Sequence, residues 1–297
     1  MNETVGLIGF GIMGAAIAPR LIDKGYTVLV YDISAAAVSR ARDAGCTVVE
    51  TPAKIARQAR VVLISLPKPE HVTEVVREGE QCLLAGAAEG AVIVDTSTVD
   101  PATSRQNAEV ASKQGVGYLD CPVLGRPSAC GNWTLPTGGD PQCIHIARPM
   151  LETFAAKIIP VGPSGNGNLV KLLNNLMFGA INSITCEVFA LGECLGMEPK
   201  LLFNTISNSG AGTVSNLFKE LGPKIIEREF SPIFSIDNMH KDVGLGIAMA
   251  QQIGMTLEFS ESGQRLNDRA RAAGLGQEDT AAVIKVYENA LETEVGI

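Results

Sequence analysis

Lys171, Asn175, Phe178 and Asn182 fall at i, i+4, i+7 and i+11, all within about 40° of Lys171 on a helix turning about 100° per residue, with Asn174 beside them. The positions between them are largely apolar, so the segment reads as a buried helix carrying one polar stripe. A lysine and several asparagines on a buried face are costly unless they meet partners or a ligand. A closed hydrogen-bond network would satisfy them. So would a site in which an ammonium stabilises negative charge developing on an oxygen and gives it a proton.

A second constellation lies near the start of the chain. Gly9-Phe10-Gly11-Ile12-Met13-Gly14 directly follows the apolar run Val5-Gly6-Leu7-Ile8 and opens a helix-like segment. In that context Gly9 permits a tight turn, Gly11 lets backbone approach a pyrophosphate, Gly14 lets helix pack on strand, and the helix N-terminus faces the phosphates. Asp32 ends the next strand-like run, 18 residues after Gly14, where a carboxylate accepts from both hydroxyls of an adenosine ribose. No arginine stands at 33 or 34, and the carboxylate would repel a 2′-phosphate, so NAD is expected in preference to NADP.

With a nicotinamide ring available, the chemistry of Lys171 sharpens. Hydride delivered to a carbonyl carbon leaves negative charge on the oxygen, which an ammonium stabilises and protonates. The helix of Lys171 begins where the nucleotide-binding part ends, so its first turns are expected to line an interdomain cleft. Histidine offers poorer candidates: His71 follows the fourth strand, His145 sits on an outer helix, His240 adjoins Lys241, and none pairs with Ser or Cys in a nucleophile motif. No HxxxH or CxxC spacing is present, so no metal is expected.

The elements that must position these residues alternate from residue 4 to about 160. TVGLIG, TVLVYD, VVLISLP, AVIVDTST and VGYLDCP read as near-continuous apolar strands separated by helices, the pattern of a doubly wound parallel sheet in an α/β, Rossmann-type domain. Pro19 should kink the first helix. After Pro163 no strand is evident, and segments of helical period run roughly 165–195, 199–208, 213–227, 236–253, 257–273 and 279–290. Residues 1–164 therefore read as the NAD-binding domain and 165–297 as an all-helical substrate and oligomerisation domain, joined at Gly162-Pro163-Ser164-Gly165-Asn166-Gly167.

Composition narrows the partners. The 297 residues are 46% apolar and 19% charged, with a net charge of −8 and no Lys/Arg-rich run, which argues against nucleic acid or an anionic membrane surface and for small molecules. Seven cysteines without a CxxC pair fit free thiols of a reducing compartment, and the N-terminus lacks a basic n-region, so a cytoplasmic protein is expected. The most apolar stretch, 169–197, is interrupted by Asn174, Asn175, Asn182, Glu187 and Glu193 and reads as a buried helix, not a membrane span.

Taken together, GFGIMG (9–14), SLP (65–67), DTST (95–98), DCPVLGRPSA (120–129), GPSGNGNLVKLLNN (162–175) and HKDVGLG (240–246) resemble the β-hydroxyacid dehydrogenases over nearly the whole chain. That family includes 3-hydroxyisobutyrate dehydrogenase, tartronate semialdehyde reductase and sulfolactaldehyde reductase. The resemblance implies that Lys171 is the catalytic acid/base and that Asn175 orients the substrate. It also implies that Leu66, Pro67 and the Ser97 region contact NAD, that Lys241 closes over the cofactor, and that the chain forms a homodimer or homotetramer. The activity it implies is NAD(H)-dependent interconversion of a short 3-hydroxy acid, or its sulfonate analogue, and the matching semialdehyde. An imine reductase shares the two-domain plan but commonly lacks the lysine, and a non-catalytic dinucleotide-binding module would have lost it, so Lys171 with Asn175 counts against both.

One departure bears on the substrate. Where many members carry Pro-Val-Ser-Gly-Gly, this chain reads Pro122-Val123-Leu124-Gly125-Arg126, which resembles the Gly-Arg-Thr-Ser-Ala loop of sulfolactaldehyde reductases, whose arginine grips the sulfonate. Val123, Leu124, Gly125 and Arg126, with Asn174 and the bulky Phe178, are accordingly the expected contacts to a small anionic substrate; for Arg126 the alternative is a salt-bridged surface residue. Trp133, the only tryptophan, either shapes the pocket or fills a sheet edge.

Overall fold

The protein is described from a computed structural model covering residues 3–210 and 215–295. Its chain divides into two compact units, Met1–Lys171 and Leu172–Ile297, parting a few residues beyond the glycine-rich stretch, inside a long helix.

The first unit alternates strands and helices: β1 (Thr4–Ile8), α1 (Ile12–Asp23), β2 (Thr27–Tyr31), α2 (Ala35–Asp43), β3 (Thr47–Val48), α3 (Pro52–Ala56), β4 (Val61–Ile64), α4 (Pro69–Arg77), β5 (Val92–Asp95), α5 (Pro101–Ser112), β6 (Gly117–Asp120), β7 (Trp133–Gly138), α6 (Pro141–Leu151) and β8 (Ala155–Gly162). They form one sheet in the order β3-β2-β1-β4-β5-β6-β7-β8. The period-two geometry of a strand explains the apolar runs. Val5, Leu7, Val28, Val30, Val61, Leu63, Val92 and Val94 face one core, while Ile8, Leu29, Val62, Ile64 and Ile93 face another. Strand order reverses between β1 and β4, the switch point at which open α/β sheets hold ligands beyond the carboxyl ends of their strands. Pro19 lies within α1, which continues through it to Asp23.

The sheet is not parallel throughout. β7 pairs antiparallel with β6, and β8 runs parallel to β7. The reason is the connection: β6 reaches β7 through a loop with a single 3-10 turn at Pro127–Ala129 and no crossover helix, so the chain returns antiparallel, whereas α6 carries it across to β8. Trp133 opens β7 fully buried, edge-to-face with Phe154 at 6.1 Å between ring centroids, and β8 rather than Trp133 forms the sheet edge.

The second unit is helical. α7 (Asn166–Cys194) leads into it, followed by α8 (Pro199–Ser207), α9 (Asn216–Ile226), α10 (Ile236–Gln251), α11 (Glu258–Ala272) and α12 (Ile284–Leu291). The expected start at 213 lies outside the described residues; Ser215 caps α9 by accepting from the Phe218 N–H. Phe189, Phe218, Leu221, Ile225, Ile236, Leu266 and Ile284 supply the core. α7 departs from the buried helix expected: Leu173, Met177, Ile184 and Leu191 are each half or more exposed. By length and composition alone it is apolar enough to cross a membrane.

Candidate active site

The turn after β1 is built as a phosphate-facing loop requires. Gly9 has φ +93°, and a Cβ there would lie 2.3 Å from the Ser65 carbonyl oxygen. A Cβ on Gly14 would lie 2.2 Å from the Gly9 oxygen, so α1 rests directly on the turn. Gly11 meets nothing within 4 Å, which leaves its backbone open on the side where a pyrophosphate would sit. Exposed Ile12 and half-buried Met13 begin the helix, and buried Phe10 holds the loop from beneath. The Asp32 carboxylate accepts from the Phe10 N–H at 2.7 Å and the Ser34 N–H at 2.8 Å. Those bonds fix the acid beside the loop and leave lone pairs for ribose hydroxyls. The cradle fits a dinucleotide, which supplies the hydride acceptor or donor when bound.

Two further expected cofactor residues meet each other. The buried Ser97 hydroxyl accepts from the Leu66 N–H at 2.9 Å, tying the Leu66-Pro67 turn after β4 to the turn after β5. Ser97 is held in turn by Asp95, which accepts from the Ser97 N–H at 2.9 Å and from the Tyr118 hydroxyl at 2.8 Å. Burial outweighs these bonds and pushes the Asp95 carboxyl up to about 6.

The loop after β6 receives the lysine. Lys171 Nζ donates to the Val123 carbonyl oxygen at 2.7 Å, which holds the ammonium against the expected substrate loop. Leu124 bridges to Thr134, and the indole Nε1 of Trp133 donates to the Arg126 carbonyl at 2.7 Å. A Cβ on Gly125 would lie 2.4 Å from the Trp133 ring. The tryptophan therefore pins the backbone of the Leu124–Arg126 segment, and the half-buried Arg126 side chain departs from a fixed root.

One turn after Lys171, in the second unit, Asn175 is buried and donates to the Asp242 carboxylate on α10 at 2.6 Å, while its oxygen accepts from exposed Asn174 at 3.1 Å. The other Asp242 oxygen faces Lys241 Nζ at 2.8 Å. A carboxylate can only accept, so Asp242 sets which way the Asn175 amide points and leaves it one N–H to offer. Phe178 packs edge-to-face on Phe234, centroids 5.6 Å apart. Asn182, fully buried, donates to the Thr280 carbonyl at 3.1 Å: the far end of the polar stripe is a structural network. Asp95, Asp120 and Asp242 are the residues that sequence reasoning missed. The available signal was position, since each stands inside a motif already singled out.

A dinucleotide loop at the switch point and a lysine held against a neighbouring strand-end loop place the protein among the NAD-dependent dehydrogenases. The profile described as the NAD binding domain of 6-phosphogluconate dehydrogenase matches residues 4–162, and the one described as NAD-binding of NADP-dependent 3-hydroxyisobutyrate dehydrogenase matches 165–287. The chain is 34% identical to a probable mitochondrial 3-hydroxyisobutyrate dehydrogenase of Dictyostelium discoideum, over 95% of this chain and 90% of that one. It is 32% identical to the 3-sulfolactaldehyde reductase of Escherichia coli K12, over 95% and 94%. Among solved structures, the 3-hydroxyisobutyrate dehydrogenase of Mycobacterium tuberculosis with L-serine superposes at a TM-score of 0.85 with 28% identity, covering 96% and 99% of the two chains. The chain belongs to the β-hydroxyacid dehydrogenase family and is an NAD-dependent oxidoreductase acting on CH–OH groups.

Proposed function

We propose that the protein interconverts a short 3-hydroxy acid, or its sulfonate analogue, and the matching semialdehyde, with Lys171 as the acid/base. The observation that carries this reading is the Lys171 ammonium, 2.7 Å from the Val123 carbonyl and one helical turn before Asn175. In the reductive direction Lys171 gives a proton to the carbonyl oxygen; in oxidation the neutral amine takes it from the hydroxyl. Asn175, its amide direction fixed by Asp242, orients the substrate, and Arg126 binds the acidic head group through its planar fork. Val123, Leu124, Gly125, Asn174 and Phe178 complete the substrate contacts. Gly9–Gly14, Asp32, Leu66, Pro67, Ser97 and Lys241 hold NAD, which Asp32 favours over NADP.

Residues 1–164 form the cofactor domain and 165–297 the helical domain in this reading. The exposed apolar row of α7 supports association of that domain with a second copy, as a homodimer or homotetramer. Free thiols support a cytoplasmic setting. The test is a spectrophotometric panel at ~340 nm with 3-hydroxyisobutyrate, glycerate, 2,3-dihydroxypropane-1-sulfonate and L-serine, and the semialdehydes with NADH, run on wild type and Lys171→Ala. Lys171→Ala should lose about 10²- to 10⁴-fold in kcat with NADH binding nearly unchanged. Retention of more than about a tenth of turnover refutes the acid/base assignment.

A further inference from the structure

We propose that Asp120 is a positioning residue for the reaction: its carboxylate fixes the first turn of α7 and thereby aims Lys171 at the substrate loop. The inference rests on Lys171 being the acid/base. Asp120 is the last residue of β6 and is fully buried. One oxygen accepts from the Gly165 N–H at 2.7 Å and the other from the Asn168 N–H at 2.9 Å. Helix starts leave such N–H groups without intrahelical partners, and a carboxylate there also opposes the positive end of the helix dipole.

The enclosure is tight. A Cβ on Gly167 would lie 2.3 Å from the Asp120 carbonyl oxygen and 2.9 Å from its carboxylate, and one on Gly138 would lie 2.5 Å from the other carboxylate oxygen. Backbone therefore surrounds the acid, and glycine alone fits at both positions. Asn168 locks the rotation of the helix start, since its side chain accepts from the Val99 N–H and donates to Ser104 Oγ, each at 3.1 Å.

Lys171 follows three residues later and donates to Val123, which stands three residues after Asp120. The segment 120–123 thus grips α7 twice, by a carboxylate at its first N–H groups and by a carbonyl at the lysine. A helix turns about 100° and rises about 1.5 Å per residue, so a slip of one residue at the Asp120 grip would carry Nζ away from the Val123 oxygen. Burying this carboxylate beside its cross-strand partner Asp95 is costly, and desolvation raises its pKa despite the N–H bonds.

Asp120→Asn keeps the shape and one acceptor but sets an NH₂ against a backbone donor. Turnover is counted per NADH-binding site, because a purely structural lesion removes sites without slowing those that remain. We expect kcat per site to fall at least about twentyfold, with NADH affinity within about twofold, since the Gly9–Gly14 loop and Asp32 follow β1 and β2 and do not touch Asp120. Asn168→Ala, which keeps the Asp120 bond but frees the helix to rotate, should fall about fivefold and carries the test if Asp120→Asn does not fold. Lys171→Ala is measured in parallel. If it stays active, the acid/base reading fails; if it is inactive while Asp120→Asn, or Asn168→Ala in its place, turns over within about twofold of wild type per site, the role of Asp120 is overturned.

Discussion

Replacing Asp95 by asparagine should make the protein more stable at neutral pH. Asp95 is fully buried at the end of β5, and its carboxyl in the folded protein is pushed up to about 6, chiefly by desolvation. The unfolded chain releases the same proton near a pKa of about 3.9. The folded state therefore holds the proton to higher pH, and its contribution is full below about pH 4 and is lost as pH rises through about 6. Two pKa units correspond to about 3 kcal/mol, an upper figure for what ionised Asp95 costs the fold above pH 7. Asparagine keeps an acceptor for the Ser97 N–H, and its NH₂ can donate to the Tyr118 hydroxyl, which accepts as readily as it donates. In urea unfolding of the cofactor-free enzyme, Asp95→Asn should exceed wild type by up to about 3 kcal/mol at pH 8, with the gap closing through pH 6 towards pH 4.5. A variant no more stable than wild type at pH 8, or a gap that does not change between pH 8 and pH 4.5, would show that the folded state does not raise the Asp95 pKa, and the reasoning would be wrong.

Asp242→Ala leaves Asn175 and Lys241 without their shared partner; a hydrogen bond to a charged group contributes about 1.5–3 kcal/mol, so kcat/KM should drop at least about tenfold, and a change under threefold in steady-state kinetics contradicts the assignment. Wild type should prefer NAD(H) over NADP(H) by at least about tenfold, and Asp32→Ala should narrow the ratio; equal kcat/KM values for the two cofactors in wild type would count against Asp32 as the discriminator. Arg126→Ala should cut kcat/KM for an anionic substrate at least about thirtyfold with NADH affinity within about twofold, and Arg126→Lys should recover only part; unchanged kcat/KM in Arg126→Ala removes this residue from acid recognition.

Strands β1, β2, β4, β5 and β6 were legible because both faces of each are covered, which writes the strand as a continuous apolar run. β7 and β8 were not. WTLPTG is buried but interrupted by Thr134, Pro136 and Thr137, and AAKIIPVG carries an internal proline and lies mostly exposed at the sheet edge, so neither reads as a continuous apolar run. The helical segments after Pro163 followed from their period, but period does not reveal what covers a face. The apolar residues of α7 therefore looked like core, while Leu173, Met177 and Leu191 stand exposed. In the site, Lys171 and Asn175 stood out as polar residues on an apolar helix. Asp95, Asp120 and Asp242 did not, because an acid at the end of a strand or on a helix flank looks the same in sequence whether it faces water or backbone N–H groups.

Four aspartates nonetheless organise the polar architecture within the two units, and they do so by one physical device. Asp32 gathers the N–H groups of Phe10 and Ser34; Asp95 gathers Ser97 and Tyr118; Asp120 gathers Gly165 and Asn168; Asp242 gathers Asn175 and Lys241. An ionised carboxylate accepts only, and a short side chain on a strand end or a helix leaves it little freedom, so each acid converts a floppy pair of donors into a fixed geometry. The cost is buried or half-buried negative charge that the fold must accommodate. At Asp95 and Asp120 the donors are backbone N–H groups and one phenol, which absorb much of that charge without adding a cation. Asp242 differs, because its charge is paired with the Lys241 ammonium. One carboxylate thereby ties Asn175 on α7 to Lys241 on α10, so the direction of the Asn175 amide and the position of the Lys241 ammonium depend on the same side chain.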